Sequence, residues 1–196
     1  MALLILGLIL FIGVHALTMM RQQRAQLMGR LGEGGYKGFY SLVSFAGFAL
    51  IVWGFVSYRA GGYIPVWEPP RWTRHAAAAL MLPVFPLLIA AYVPGRIKAA
   101  LKHPMLAAIK FWALAHLIAN GDLGSILLFG SLLAWAVVCR ISQKSRRELS
   151  QVSAAQAPDA ATARRNDIVA VVVGLVLYVV MMVWLHPILI GVPVVG

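Results

Sequence analysis

Long apolar runs alternate with short polar connections along this chain. Because a membrane-spanning helix needs about 20 predominantly apolar residues, the hydropathy pattern predicts six spans. Their approximate ranges are 2–20, 39–58, 72–93, 104–119, 123–139 and 168–190. The chain is therefore predicted to be an all-α integral membrane protein, a bundle of about six transmembrane helices that forms a single membrane domain over residues 1–196.

Glycine, proline and polar clusters separate these runs. The connection after the first span carries a glycine-rich break, and Pro83 and Pro86 predict a kink inside the third span. Asn120-Gly121 favours a tight turn between the fourth and fifth helices. Residues 140–167 are basic at both ends and polar with low complexity in the middle, so we predict a flexible basic loop there, with a tether or a short surface helix in its middle.

Composition separates this chain from soluble domains. Hydrophobic residues make up 61% and charged residues 12% of 196 residues, whereas soluble domains have roughly 45–50% and 25%. The net charge of +11 resides between the apolar runs, so we expect lipid as the partner and no nucleic acid. A single cysteine, Cys139, excludes an internal disulfide and a cysteine-based metal cluster.

The distribution of basic residues predicts the topology. Three of the 17 Lys and Arg residues, Arg59, Arg71 and Arg74, lie toward one side of the predicted membrane. The others lie in or near the connections on the opposite side: Arg21, Arg24, Arg30, Lys37, Arg96, Lys98, Lys102, Lys110, Arg140, Lys144, Arg146, Arg147, Arg164 and Arg165. The positive-inside rule then makes this a multi-pass protein with both termini outside.

Polar chemistry is concentrated in residues 102–122. This stretch contains His103, Lys110, His116 and the sequence Asn-Gly-Asp. A histidine within a span is costly without a partner, which makes His15 and His116 candidates for function. His103 and His116 are separated by about 220° around a helix, so one ion cannot be bound by both from a single helix face.

The scarcity of carboxylates restricts the classes of metal site and cofactor that the chain could hold. Di-iron and zinc hydrolase sites need acidic ligands or a carboxylate base, whereas haem fits between apolar helices and takes axial histidine nitrogen. At a rise of about 1.5 Å per residue, His15 lies ~9 Å and His116 ~18 Å into the membrane. Judged by depth in the membrane alone, His116 could pair equally well with His75 or His186. The sequence therefore does not decide which histidine would share an iron with His116.

A family resemblance rests on several of these segments. They are the run from His103-Pro104-Met105 through Trp112 to His116, the Asn120-Gly121-Asp122 turn, Gly13-Val14-His15 and His186-Pro187. Together they resemble the NnrU family, bacterial membrane proteins linked to expression of nitrite and nitric oxide reductases and related to the plant 15-cis-zeta-carotene isomerase.

The resemblance implies a haem b protein of the bacterial inner membrane, and the distribution of basic residues then predicts that both termini are periplasmic. Its axial ligands would be His15 and His116, with His103, His75 and His186 as supporting or alternative ligands. Lys102 or Lys110 would meet the haem propionates. An apolar polyene or nitric oxide would be the small ligand. The isomerase has a cysteine three residues before its second histidine, where this chain has Ala113, so its redox-switched ligand does not carry over.

Two other functions compete with this interpretation. Lys102-His103-Pro104 is similar to the Arg-His-Pro signature of membrane methyltransferases that use S-adenosylmethionine, with lysine in place of arginine. A non-enzymatic scaffold or assembly factor, with the histidines serving in helix packing, is the other alternative.

Overall fold

The computed structural model describes residues 1–148 and 158–194, with side chains described up to Gln143 and again from Pro158. Its regular elements in these ranges are helices: α1 (Ala2–Ala16), α2 (Arg21–Ala60), α3 (Trp72–Met81), α4 (Val84–Tyr92), α5 (Arg96–Leu101), α6 (Pro104–Ala119), α7 (Leu123–Glu148), α8 (Ala160–Val180), a π-helical turn (Met181–Leu185) and α9 (His186–Ile190). The chain divides into two compact units, Met1–Glu68 with Gly121–Gln143, and Pro69–Asn120 with Lys144–Gly196.

Within the described ranges, four helical segments are long and apolar enough to cross a membrane: Arg21–Ala60, Trp72–Tyr92, Leu123–Gln143 and Ala160–Ile190. The apolar helices α1 and α6 have 15 and 16 residues, which gives them lengths of about 23–24 Å against a hydrocarbon core of ~30 Å. The all-α membrane fold is confirmed, with four candidate spans. The count of about six stays a prediction.

Glycines set the contact between α1 and α2 in the first unit. A Cβ on Gly7 would lie 2.6 Å from the Ile51 nitrogen, and one on Gly47 would lie 2.8 Å from the Phe11 nitrogen. A Cβ on Gly54 would overlap the backbone of Leu4, whose side chain is fully buried. The two backbones therefore touch along this seam, in the way that small residues permit between helices in lipid.

Helix α2 extends well beyond the span predicted at residues 39–58. It begins at Arg21, and its one non-helical residue is Gly32, with φ 71° and ψ 168°. The glycine-rich connection is thus helical on both sides of a single break. The arginines, glutamines, leucines and methionine of residues 21–31 are good helix formers, which accounts for the helix before the break.

The connection after α2 pairs with the turn before α7. Pro65 forms an isolated antiparallel bridge with Asp122. The Val66 and Trp67 amides donate to the Gly121 carbonyl at 2.8 and 3.1 Å, and the Leu123 amide donates to the Ile64 carbonyl at 2.9 Å. This Gly- and Pro-rich segment is therefore held by main-chain hydrogen bonds that do not depend on its side chains.

Asp122 supports that turn from inside. Its side chain is 5% exposed and accepts hydrogen bonds from the Ser125 amide at 2.9 Å and the Ser125 hydroxyl at 2.6 Å. The Arg59 guanidinium lies 3.9 Å from the same carboxylate. Asp122 is thus the N-cap of α7, where a carboxylate satisfies amides that have no partner within the helix.

In the second unit, α4 packs against both α6 and α8. Val84, Leu87 and Ala108 form its buried core. Gly174 on α8 lies directly against Pro86, because an added Cβ would overlap the proline backbone. The predicted kink is present as the break between α3 and α4 at Leu82 and Pro83.

The N-terminus of α5 is held by α8. The Asp167 carboxylate accepts hydrogen bonds from the Arg96 and Ile97 amides, each at 3.1 Å. The Asn166 side-chain amide donates to the Pro94 carbonyl at 2.7 Å. A helix of six residues is too short to be stable alone, so these bonds fix its start.

The predicted flexible loop over 140–167 is helical at both of its ends. Helix α7 continues to Glu148, and α8 begins at Ala160, while residues 149–157 lie outside the described residues. The Asp159 carboxylate accepts from the Ala161 and Thr162 amides, both at 3.0 Å. This N-cap starts α8 well before its apolar run.

Gly47→Ala is expected to destabilise the protein by about 1–3 kcal/mol, because the new methyl group forces two packed backbones apart. Gly38→Ala is the matched control on the same helix, since a Cβ there meets nothing within 4 Å, and it is expected to be neutral or slightly stabilising. Thermal unfolding in detergent measures both. Equal midpoints for the two variants would refute the close seam.

Asp122→Ala is expected to cost about 2–3 kcal/mol, because it removes an N-cap and leaves the buried Ser125 amide and hydroxyl without an acceptor. Asp122→Asn keeps an acceptor oxygen and should cost less. Limited proteolysis within residues 61–68, together with the unfolding midpoint, provides the measurement. A wild-type cleavage rate in Asp122→Ala would contradict the anchoring role.

The α8 cap is expected to depend on pH. The hydrogen bond from the Thr162 amide, with that from Ala161, lowers the pKa of Asp159 below its usual value. A lowered folded pKa means that the cap stabilises α8 above the unfolded pKa of about 3.9 and is lost as pH falls through the folded pKa. Amide exchange at Ala161 and Thr162, corrected for intrinsic rates, should accelerate there. The Asp159→Asn variant should show no such step.

Candidate cofactor ligands and their surroundings

The predicted ligands fall into both units of the chain. His15 belongs to the first unit, and the other candidates belong to the second: His75, Lys102, His103, Lys110, His116 and His186. The surroundings of each side chain are set within its own unit.

His15 is the penultimate residue of α1. Its Nδ1 lies 2.7 Å from the Phe11 carbonyl oxygen, and its ring centroid lies 4.2 Å from that of Phe11. A carbonyl oxygen can only accept, so Nδ1 carries the proton and Nε2 keeps the lone pair. In the neutral imidazole, Nε2 is therefore the ring nitrogen that could ligate a metal.

Aromatic side chains from α2 and α7 flank this imidazole. The Tyr40 ring lies 5.3 Å from His15 between centroids, and the Trp135 ring meets it edge-on at 5.7 Å. The Trp135 indole nitrogen is buried and has no hydrogen-bond partner among the described residues. One turn further along α7, the buried Cys139 sulfur accepts from the Gln143 amide at 3.4 Å.

Tyr40 and Trp135 were not predicted from the sequence. Each is a polar aromatic residue inside an apolar run, a pattern equally typical of residues near a membrane interface. Only the packing of α1, α2 and α7 brings them to His15. Their rings pack directly against the imidazole, which surrounds His15 with aromatic side chains.

His116 on α6 repeats the local geometry of His15. Its Nδ1 lies 2.8 Å from the Trp112 carbonyl oxygen, and the two ring centroids are 5.2 Å apart. The Asn120 side chain donates to the His116 carbonyl at 2.9 Å, which closes the C-terminal end of the helix. Nε2 again keeps the lone pair.

The two histidines thus share one motif, an aromatic residue four positions before the histidine. In each case, the helix carbonyl takes the Nδ1 proton and the preceding ring supports one face of the imidazole. Metal-ligating histidines characteristically donate their second ring nitrogen to a carbonyl or a carboxylate, which fixes the tautomer and the ring orientation. The motif is therefore chemically suited to axial ligation.

The remaining candidates have different surroundings. His186 follows the π-helical turn and directs Nδ1 to the Val192 carbonyl at 2.7 Å, while His75 is exposed on α3. Lys110 is partly buried on α6, and the Nε2 atom of His103 is buried at the start of that helix.

Lys102 occupies a strained turn directly before His103. Its φ is +65° and its ψ is −35°, and the His103 amide donates to the Leu101 carbonyl at 2.7 Å. This is a γ-turn with positive φ, a conformation that is rare and costly for a residue with a Cβ. The strained backbone sets the entry into α6, the helix that carries His116.

Among the described residues, no group of three or more His, Cys, Asp or Glu side chains could hold a metal ion. A haem supplies four nitrogen ligands itself and needs only axial ones from the protein.

Comparison with known proteins bears on the whole chain. The family model described as NnrU protein matches residues 3–194. Searches of curated proteins and of solved structures gave no match. The family match covers nearly the entire sequence, and on that basis this chain belongs to the NnrU family.

Proposed function

We propose that this NnrU-family protein binds haem b, with His15 and His116 as its axial ligands. The observation that carries the proposal is the motif shared by these two residues, in which a helix carbonyl takes the Nδ1 proton and leaves Nε2 as the ligating atom. When bound, haem would supply an iron that coordinates a small ligand or a double bond after one of the two axial histidines has left.

Several residues of the chain have a role in the proposed haem site. The Phe11 and Trp112 rings pack at a tilt against the two imidazoles. Their carbonyls hold each imidazole in one tautomer, which increases the basicity of Nε2. Trp135 and Tyr40 bring aromatic surface beside His15. Lys102 and Lys110 are the cations proposed to meet the propionates, and His75, His103 and His186 are the proposed alternative ligands.

The physiological role that we propose follows from the family. An NnrU protein with haem would act in nitrite and nitric oxide metabolism, with nitric oxide as the iron ligand, or would isomerise an apolar polyene. The low charge and high apolar content of the spans favour ligands that partition into lipid. The distribution of Lys and Arg supports a location in the bacterial inner membrane with both termini in the periplasm.

The test is the absorbance spectrum of detergent-purified protein with and without added haem. Wild type is expected to show a Soret band, with haem content measured as the pyridine haemochrome. His15→Ala and His116→Ala are each expected to shift that band and to lower haem occupancy by about tenfold or more, since loss of a supporting residue alone costs 10–100-fold in metal sites. Tyr92→Ala, at the exposed end of α4 and outside the candidate ligands, is the control and is expected to keep the wild-type band.

Each variant must first give a wild-type helical circular dichroism spectrum and a single peak in gel filtration. A protein that stays colourless after haem addition would refute the proposal, as would wild-type spectra in both ligand variants. A colourless protein that binds S-adenosylmethionine would support the methyltransferase alternative. One that binds neither would support a scaffold.

A further inference from the structure

Helix α2 is about twice as long as a bilayer requires. Its 40 residues correspond to about 60 Å at 1.5 Å per residue, while the hydrocarbon core is ~30 Å thick. Its continuous apolar part begins at Phe39. Residues 21–31, at the polar end of the helix, therefore lie outside the hydrocarbon.

This segment bends away from the span at Gly32. The backbone there has φ 71° and ψ 168°, outside helical space. The Arg24 guanidinium lies 5.8 Å from the centre of the Tyr36 ring. In a straight helix these two residues would be about 18 Å apart along the axis, so the break at Gly32 is what brings them together. Tyr36 is itself 6% exposed, which ties the bend to the body of the unit.

The charge of the segment is unbalanced. Residues 21–31 contain Arg21, Arg24 and Arg30 and no acidic residue. The nearest carboxylate, Glu33, is paired with Lys37 at 2.6 Å. All three arginines are exposed, so the segment presents net positive charge next to a membrane span.

The apolar side chains of this helix lie on one side of it. At about 100° per residue, Leu27, Met28 and Leu31 share an arc of about 100°, with Arg21 beyond one edge and Arg30 beyond the other. Arg24 falls within this arc, but its guanidinium is turned to the Tyr36 ring. Leu31 is 47% exposed. Arginines that flank an apolar stripe place their stems along the acyl boundary and their guanidinium groups among phosphates.

We propose that residues 21–31 form an interfacial helix that binds anionic phospholipid headgroups on the surface of the bilayer. Arg21 and Arg30 pair with lipid phosphates, while Leu27, Met28 and Leu31 enter the boundary of the acyl chains. Gly32 is the corner between this helix and the span, and Arg24 on Tyr36 holds the corner. Negative surface charge attracts such basic segments beside a span.

The experiment compares two variants with the same change in charge. Arg21→Gln with Arg30→Gln removes the proposed contacts, and Arg71→Gln with Arg74→Gln removes two exposed arginines elsewhere in the chain. Native mass spectrometry with phosphatidylglycerol and with phosphatidylcholine measures lipid affinity. Wild type and the Arg71/Arg74 variant are expected to prefer phosphatidylglycerol, and that preference should fall by about tenfold in the Arg21/Arg30 variant.

Hydrogen exchange locates the effect in the chain. In nanodiscs that contain phosphatidylglycerol, amides 21–31 are expected to exchange more slowly than in nanodiscs of phosphatidylcholine alone. Gly32→Val, which disfavours the positive φ, should remove that difference. Equal exchange in both lipids, or an equal loss of lipid preference in the two double variants, would overturn the proposal. Neither readout depends on haem.

Discussion

A hydrogen bond from histidine Nδ1 to the helix carbonyl four residues earlier recurs in the two helices that carry the proposed ligands. In lipid, a neutral imidazole must place its N–H on an acceptor, and the preceding turn of its own helix offers the nearest one. The same bond determines which nitrogen keeps a lone pair. In the haem-binding proposal, the same constraint would also prepare Nε2 as a ligand.

The close approach of helix backbones determines which helices surround His15 and His116. Gly7, Gly47 and Gly54 let α1 lie directly on α2, and α1 carries His15 near its end while α2 brings Tyr40 to it. In the second unit, Gly174 lets α8 lie directly against Pro86 on α4, where a larger residue would overlap the proline. Helix α4 in turn packs on α6, the helix that carries His116. Helix packing in lipid depends on such shape complementarity because burial of apolar surface provides little driving force there.

The helix boundaries were predicted best where apolar runs begin or end at proline, asparagine or glycine. Pro104 begins α6, and Asn120-Gly121 separates it from α7, as expected. The structure differs from the prediction where polar residues continue a helix. Residues 21–31 had been assigned to a connection and are helical, and α7 and α8 extend into residues 140–167, where a flexible loop or a short surface helix was expected. Hydropathy detects burial in lipid, whereas these segments are held by helix propensity and by capping, which carry no hydropathy signal.

The histidines were identified from the sequence because an imidazole in an apolar run stands out. Tyr40 and Trp135 were not, since only tertiary packing brings them beside His15. Electron paramagnetic resonance of the oxidised, haem-loaded wild-type protein is the most direct test of ligation by two imidazoles. We predict a low-spin ferric signal typical of two histidine ligands. A high-spin signal with one imidazole ligand, or no haem signal after loading, would contradict that ligation.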